Sequence, residues 1–429
     1  MIDVLTDPSA FADGRIYDSF KWLRANIPLG LARKQGFDPF WVVTKHADIL
    51  EISRRNDVFL NDPGAIMFTD QAGDRTIREL TGGSPHMANT ITNMDGDTHR
   101  KYRAVAQSWF LPGNLSKREA EIRAIARKFV DRMLATGGRC DFAKDIALYY
   151  PLHVILNILG LPEEDEHIIL KLTQEIFSPQ DPEIAQSDAS LTAEDRANFM
   201  YDKIREFQIY FRKLGDDRRA NPRGDLASVI ANAVVDGVPI SPGDEFGYYS
   251  AIATAGHDTT SSATGTAMWE LAANPAEFAK VKADPSLIPG LVEEAIRMAV
   301  PIKSFMRTVG QDTEVNGHQF TKGDWVMLCY PSGNRDEAVF DAPESFRVDR
   351  KPNKQLSFGY GAHFCLGQSL ARMEMRILFE ELLPRLKSVA LDGEPKRTVS
   401  WFISGPKSVP IRFEATERDL AAAEERTAC

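Results

Sequence analysis

Residues 358–367 read FGYGAHFCLG, which sets a solitary cysteine, Cys365, inside a glycine-punctuated turn. The chain has only four cysteines, Cys140, Cys329, Cys365 and Cys429, and no two are close in sequence. A disulfide framework, a C-x-x-C zinc knuckle and covalently attached c-type haem are therefore disfavoured. Downstream, Leu370, Met373, Ile377, Leu378 and Leu382 recur at helical spacing, which predicts an amphipathic helix over 369–386. Cys365 thus stands at a helix entrance, where unpaired backbone N–H groups and the helix dipole favour a thiolate. Gly359 and Gly361 permit the sharp turn, and Gly367 leaves room for something flat. Two readings of these residues remain open: a buried structural cysteine, or a thiolate bound axially to haem iron.

A second local conflict lies between Pro242 and Pro275. About 30 residues there read as one helix of about 45 Å. Its flanks are apolar, but its centre holds Ala255-Gly256-His257-Asp258-Thr259-Thr260. Glycine, threonine and aspartate are poor helix-interior residues, and such conflicts collect where function overrides stability. Gly256 is read as letting a ligand approach the backbone. Thr259 offers a hydroxyl, Asp258 a carboxylate able to pass protons, and His257 is read as structural. A glycine-weakened core helix with a satisfied Asp–Thr pair is the competing reading.

Most of the remaining chain also reads as helix. Strands are predicted at FWVVT (40–44) and in EVNGHQFTKGDWVMLCY (314–330), where Asn316-Gly317 signals a hairpin. Residues 60–93 and the segment from Ser178 read as loop, and the stretch after Phe413 as a charged, alanine-rich tail. With no repeat and no Pro/Gly/Ser linker, one large domain over 16–413 is expected, flanked by an N-terminal segment, 1–15, and a tail, 414–429. The net charge of −10 disfavours nucleic acid as the main partner. No signal peptide and no apolar run of membrane-spanning length is visible, so no membrane anchor is expected and the cytoplasm is the expected location.

Phe358, Gly361, His363, Cys365 and Gly367 together resemble F-x-x-G-x-H-x-C-x-G, the haem-binding signature of the cytochrome P-450 family. AGHDTT at 255–260 resembles that family's oxygen-activation segment. The resemblance runs from about Ile16 to Phe413. It implies a mostly α, triangular-prism fold with small peripheral β-sheets, haem b as cofactor and O2 as co-substrate. By the same resemblance Cys365 is the axial ligand of the haem iron, Phe358 and Gly367 border the cofactor, and Asp258 and Thr259 deliver protons. His99 and Arg103 resemble the family's His-x-x-x-Arg, and with Arg307 and His363 they are implied to bind the haem propionates. Glu294 and Arg297 resemble its Glu-x-x-Arg structural pair. The family's third arginine is replaced here by Ser345, which leaves Arg335 or Arg350 as substitutes.

Family position also implies a substrate pocket walled by Ile91, Thr92, Ala251, Thr254, Ser304, Phe305, Phe402 and Ile403. Phrases such as FKWLR, KSFMRT and ELLPRLKSV look similar to the bacterial group containing α-terpineol and p-cymene hydroxylases. The implied reaction is hydroxylation of a small hydrophobic terpenoid or alkylaromatic. Electrons would come from NAD(P)H through a reductase and a [2Fe-2S] ferredoxin, docked on a basic patch of Arg100, Lys101 and Arg372. A haem-thiolate peroxygenase or isomerase, or a non-catalytic haem sensor, is the alternative. The Asp258–Thr259 pair argues against the first two, and the lack of a visible signalling domain against the third.

Overall fold

The computed structural model describes residues 2–177, 180, 181, 183 and 192–416. Helices dominate and the sheets are small and peripheral. The longest described helix, Pro242–Ala273, has 32 residues and so runs about 48 Å. Ser241 caps it by accepting from the Asp244 N–H at 3.1 Å. Pro242 fills the first helical position, where a missing N–H removes no bond. Asn274 and the following Pro275 end it.

This central helix packs against Tyr149–Leu159, Ala193–Ala220 and Ile288–Ala299, and also meets Gln368–Leu382, the helix that follows the cysteine. Fully buried apolar side chains such as Ile155, Leu271, Ile377 and Leu378 fill the space between them, each worth about 2 kcal/mol of burial. The contact with Tyr149–Leu159 is close enough to need a glycine. A Cβ on Gly256 would stand 2.3 Å from Ile155 Cδ1. Gly256 is therefore needed for this helix packing.

Chain segments distant in sequence build the main sheet. Its strand order is Leu29–Ala32, Phe40–Val43, Trp325–Cys329, Ser304–Val309, Phe59–Leu60. Phe40–Val43 pairs in parallel with Trp325–Cys329, and the other pairs are antiparallel. The expected hairpin joins Thr313–Val315 to His318–Phe320. Asn316 (φ +49°) and Gly317 (φ +81°) supply the positive φ values that a two-residue turn of this kind requires.

Two expectations need adjustment. Within 60–93, read as loop, lies a helix, Gln71–Thr81. Asp70 accepts from the Gly73 N–H at 2.7 Å at its start, and left-handed Gly82 closes it. Only Thr76 of that helix is buried, so its apolar periodicity is too thin to read. The helix after the cysteine stops at Leu382 rather than 386. Pro384 has no N–H to continue the ladder, and Leu386 already begins the strand Leu386–Leu391. Most of the loop from Ser178, and the tail from residue 417, lie outside the described residues. Among the described residues no helix is long and apolar enough to cross a membrane.

Candidate active site

The cysteine turn is built by backbone geometry. Gly359 (φ +70°) and Gly361 (φ +77°) adopt conformations that other residues resist. The Cys365 N–H donates to Phe358 O at 2.9 Å, which closes the loop on itself. Cys365 stands just ahead of Gln368–Leu382 and remains exposed. The surrounding protein raises its thiol pKa. The N–H groups of Gly367 and Gln368 and the charges of Arg103 and Arg372 act in the opposite sense, favouring the thiolate. Nothing lies within 4 Å of where a Cβ on Gly367 would be. Phe358 is half-buried, with the Arg372 guanidinium 4.3 Å over its ring.

Beside the turn, four basic side chains lie close together. The His99 and His363 rings are 4.0 Å apart and tilted by 33°. Burial, with the charges of His363 and Arg103, pushes the His99 pKa down to about 4. His363 Nδ1 is 3.3 Å from Asn61 Nδ2, and its buried Nε2 has no hydrogen-bond partner. Asp95, at 3.8 Å from that nitrogen, is the nearest carboxylate. Arg103 donates to Phe364 O at 2.6 Å. Arg307 is only 7 % exposed, yet it donates to Met306 O at 2.8 Å and to the Tyr330 hydroxyl rather than to a carboxylate. A buried guanidinium without a counter-charge is unfavourable. The unpaired Arg307 and the orphaned His363 nitrogen therefore fit a flat cofactor that brings two carboxylates of its own.

The central helix offers the opposite wall. Ala255 is exposed, and Ala251, Ile252, Gly256 and Thr259 are only half-buried, although residues on both sides of this stretch are covered. Thr259 Oγ1 donates to Ala255 O at 2.6 Å, inside its own helix. Asp258 is buried. Its Oδ1 lies 3.3 Å from His257 Nδ1, and its Oδ2 has no partner. Burial raises the Asp258 pKa, and His257 opposes that. The His257 ring is itself anchored at 2.7 Å to Leu148 O and 3.1 Å to Thr173 Oγ1.

Sequence reasoning passed over Glu374. It is buried, it accepts from the Thr260 hydroxyl, and its Oε2 has no partner. Burial holds its pKa well above the usual carboxylate range. The Thr260 hydroxyl thus faces Glu374 from the centre of the long helix. A signal was present, because Leu370, Glu374 and Leu378 share one helix face, and a carboxylate on an apolar stripe needs a reason.

Glu294 and Arg297 are fully buried and joined by two 2.8 Å hydrogen bonds. Arg350 takes the third place, with its Nε 2.9 and 3.0 Å from the two Glu294 oxygens. Arg335 pairs elsewhere, with Glu344 at 3.1 Å and the Tyr17 ring at 4.2 Å. Ser345 contributes only its carbonyl, which accepts from Arg297 and Arg350.

The residues expected to wall a pocket come from four segments. Ile91 and Thr92 lie in the short turn Ile91–Asn93, and Thr92 Oγ1 bonds Thr90 Oγ1 at 2.5 Å. Ala251 and Thr254 lie on the central helix, where Thr254 Oγ1 donates to Ser250 O at 2.7 Å. Ser304 and Phe305 begin the strand Ser304–Val309. The Phe305 ring meets Phe402 at 5.6 Å, and Ile403 bridges to Ile302. The basic residues expected on the partner surface are paired within the chain: Arg100 with Asp97, Lys101 with Asp97 and Asp236, Arg372 with Glu293.

Comparison with known proteins is consistent with this arrangement. The family described as Cytochrome P450 matches residues 248–412. The chain is 48% identical over 408 residues to Cytochrome P450-terp of a Pseudomonas species, covering 95% of each. It is 29% identical to Linalool 8-monooxygenase of Pseudomonas putida, over 95% of this chain and 98% of that protein. The crystal structure of CYP108D1 from Novosphingobium aromaticivorans matches with a TM-score of 0.90 and 42% identity, covering 97% of this chain and 98% of that one. Identity of this order along nearly the whole of both chains shows that the protein belongs to the cytochrome P450 family, as a monooxygenase with haem b as cofactor and O2 as co-substrate.

Proposed function

We propose that this monooxygenase hydroxylates a small hydrophobic terpenoid or alkylaromatic, with Cys365 as the thiolate that would ligate the haem iron. The observation that carries the substrate class is the 48% identity to Cytochrome P450-terp, and the apolar lining of Ile91, Ala251, Phe305, Phe402 and Ile403 supports it. Thr254 already donates to Ser250 O, so it is left to accept from a substrate hydroxyl. A small alcohol suits it better than a charged substrate. His99, Arg103, Arg307 and His363 would hold the haem carboxylates, and Phe358 and Gly367 would lie beside the cofactor. When bound, haem with a thiolate ligand supplies dioxygen activation, because thiolate electron density favours O–O cleavage.

The chain's own residues contribute proton handling and shielding. Burial favours a proton on Asp258 Oδ2, the atom without a partner. Thr259 Oγ1 lies on the uncovered strip and can turn from Ala255 O to donate toward the cofactor. The apolar walls exclude water that would divert the oxidant. Electrons come from NAD(P)H by way of a reductase and a [2Fe-2S] ferredoxin. The ferredoxin must compete with Asp97, Asp236 and Glu293 for Arg100, Lys101 and Arg372, which makes docking sensitive to salt. A reducing cytoplasm suits the free thiol.

Replacing Thr259 by alanine tests this reading. NAD(P)H consumption should continue while hydroxylated product falls about tenfold or more and peroxide rises. Unchanged coupling would remove Thr259 from proton delivery. Separately, haem-loaded protein that is folded but lacks the reduced, CO-bound band after which the family is named would refute Cys365 as the ligand.

A further inference from the structure

Lys303 is only 1 % exposed, and among the described residues no carboxylate pairs with it. Its Nζ donates to Ser400 O and lies 4.3 Å over the Phe11 ring. Burial drives its pKa well below the ordinary lysine value. The same region shows how the chain treats another largely covered lysine: Lys407, half-buried, sits 3.0 Å from both oxygens of fully buried Asp181. An ammonium buried without such a partner is unfavourable by several kcal/mol, and a methionine of similar length would avoid that. The amine must therefore do something that an apolar side chain cannot, and what it does is donate.

Its acceptor stands at the root of a pocket wall. Ser400 Oγ accepts from the N–H groups of Phe402 and Ile403 at 3.1 and 3.2 Å. The Lys303 N–H donates to Phe402 O at 2.9 Å, and Ser404 N–H to Pro301 O at 2.8 Å. Trp401 Nε1 donates to Thr6 O at 3.1 Å. The turn that carries Phe402 and Ile403 is thus held by Lys303 on one side and by the segment Thr6–Phe11 on the other. Gly405 brings it onto the central helix, where a Cβ would stand 2.2 Å from Ser262 Oγ.

We infer that Lys303 is a positioning residue for substrate selection: its amine, by donating, fixes the Ser400 carbonyl, and through it the Phe402–Ile403 wall opposite Phe305, with Phe11 as the cap. This rests on the reading of Phe402 and Ile403 as substrate wall. Replacement by methionine leaves the volume filled but frees the turn. Replacement by arginine keeps the N–H donors.

The test uses full-length, haem-loaded protein and two iron-binding probes, imidazole and 4-phenylimidazole, titrated by their difference spectra. The ratio of their affinities reports the room at the wall without requiring the natural substrate. Phe402→Ala should change the ratio about tenfold. Lys303→Met should shift it by a similar factor, with the CO-bound band retained and imidazole affinity nearly unchanged, while Lys303→Arg should return most of the shift. A response to Phe402→Ala with Lys303→Met within about twofold of the parent overturns the role of Lys303 and leaves the wall intact. No response to either variant overturns the wall reading and the inference with it. If Lys303→Met does not load haem, Phe11→Leu decides. It should move the ratio about threefold, and a parental ratio overturns the inference.

Discussion

Two buried carboxylates lie on neighbouring helices of this protein, and the fold treats them oppositely. Glu294 is saturated. It accepts from Arg297, from Arg350, from the Arg347 N–H and from Asn353, all at 2.8–3.0 Å. Asp258 has one neighbour, His257, and one oxygen with no partner. Saturation of this kind fixes a fold, because removing any member strands the others in a low-dielectric interior. A deficit of this kind weakens a fold, and native proteins tolerate it mainly where chemistry requires it. The contrast separates the part of the molecule that fixes the chain from Asn334 to Asn353 onto its helix from the part proposed to move protons.

The largest effect should come from breaking the saturated side. Glu294→Ala leaves Arg297 and Arg350 buried without their anion and should cost about 3–5 kcal/mol. Chemical denaturation would read this directly, and haem loading should fall with it. A loss below about 1 kcal/mol would mean that the backbone carbonyls of Asn334, Pro343 and Ser345 already satisfy the arginines, and the contrast would fail.

A finer comparison lies inside the same region. Arg350→Ala removes donors from a fully buried carboxylate and should cost about 2–3 kcal/mol. Arg335→Ala removes a guanidinium whose carboxylate partner, Glu344, is 62 % exposed, so about 1 kcal/mol is expected. Equal losses in parallel denaturation curves would show that Arg335 shares the structural role.

Those two arginines show what was legible in the sequence. Glu294 and Arg297 are three residues apart on one helix, and local spacing places them together. The third partner depends on how the irregular chain from Asn334 to Arg350 folds back, which no local pattern encodes, so Arg335 and Arg350 looked equivalent. The cysteine turn was readable because glycines must stand where φ is positive, as was the Asn316-Gly317 hairpin. The role of Gly256 was not, because Ile155, which occupies its space, lies about a hundred residues away in sequence. Gln71–Thr81 was missed for want of a buried face. Glu374 was missed because its partner, Thr260, belongs to another helix.

The smallest effect has the opposite sign and comes from the deficient side. Burial raises the Asp258 pKa above its ordinary 3.8, so the folded protein keeps this proton at pH values where the unfolded chain has released it. Below the unfolded value both states are protonated and burial carries no charge penalty. As pH rises through the window between the unfolded and folded values, the unfolded state gains by ionising and stability falls. Above the folded value the loss is complete and constant. An amide in place of the acid has no such dependence, so Asp258→Asn should gain stability over the parent as pH rises, reaching about 1 kcal/mol near neutrality. Denaturation of both proteins at a series of pH values reads the difference, and a gain that does not grow with rising pH would show that His257 compensates the charge fully. The same variant should lose coupled product. Glu294→Ala lowers stability and haem loading together, whereas Asp258→Asn should raise stability while lowering product, and that divergence is what distinguishes a carboxylate kept for chemistry from one kept for the fold.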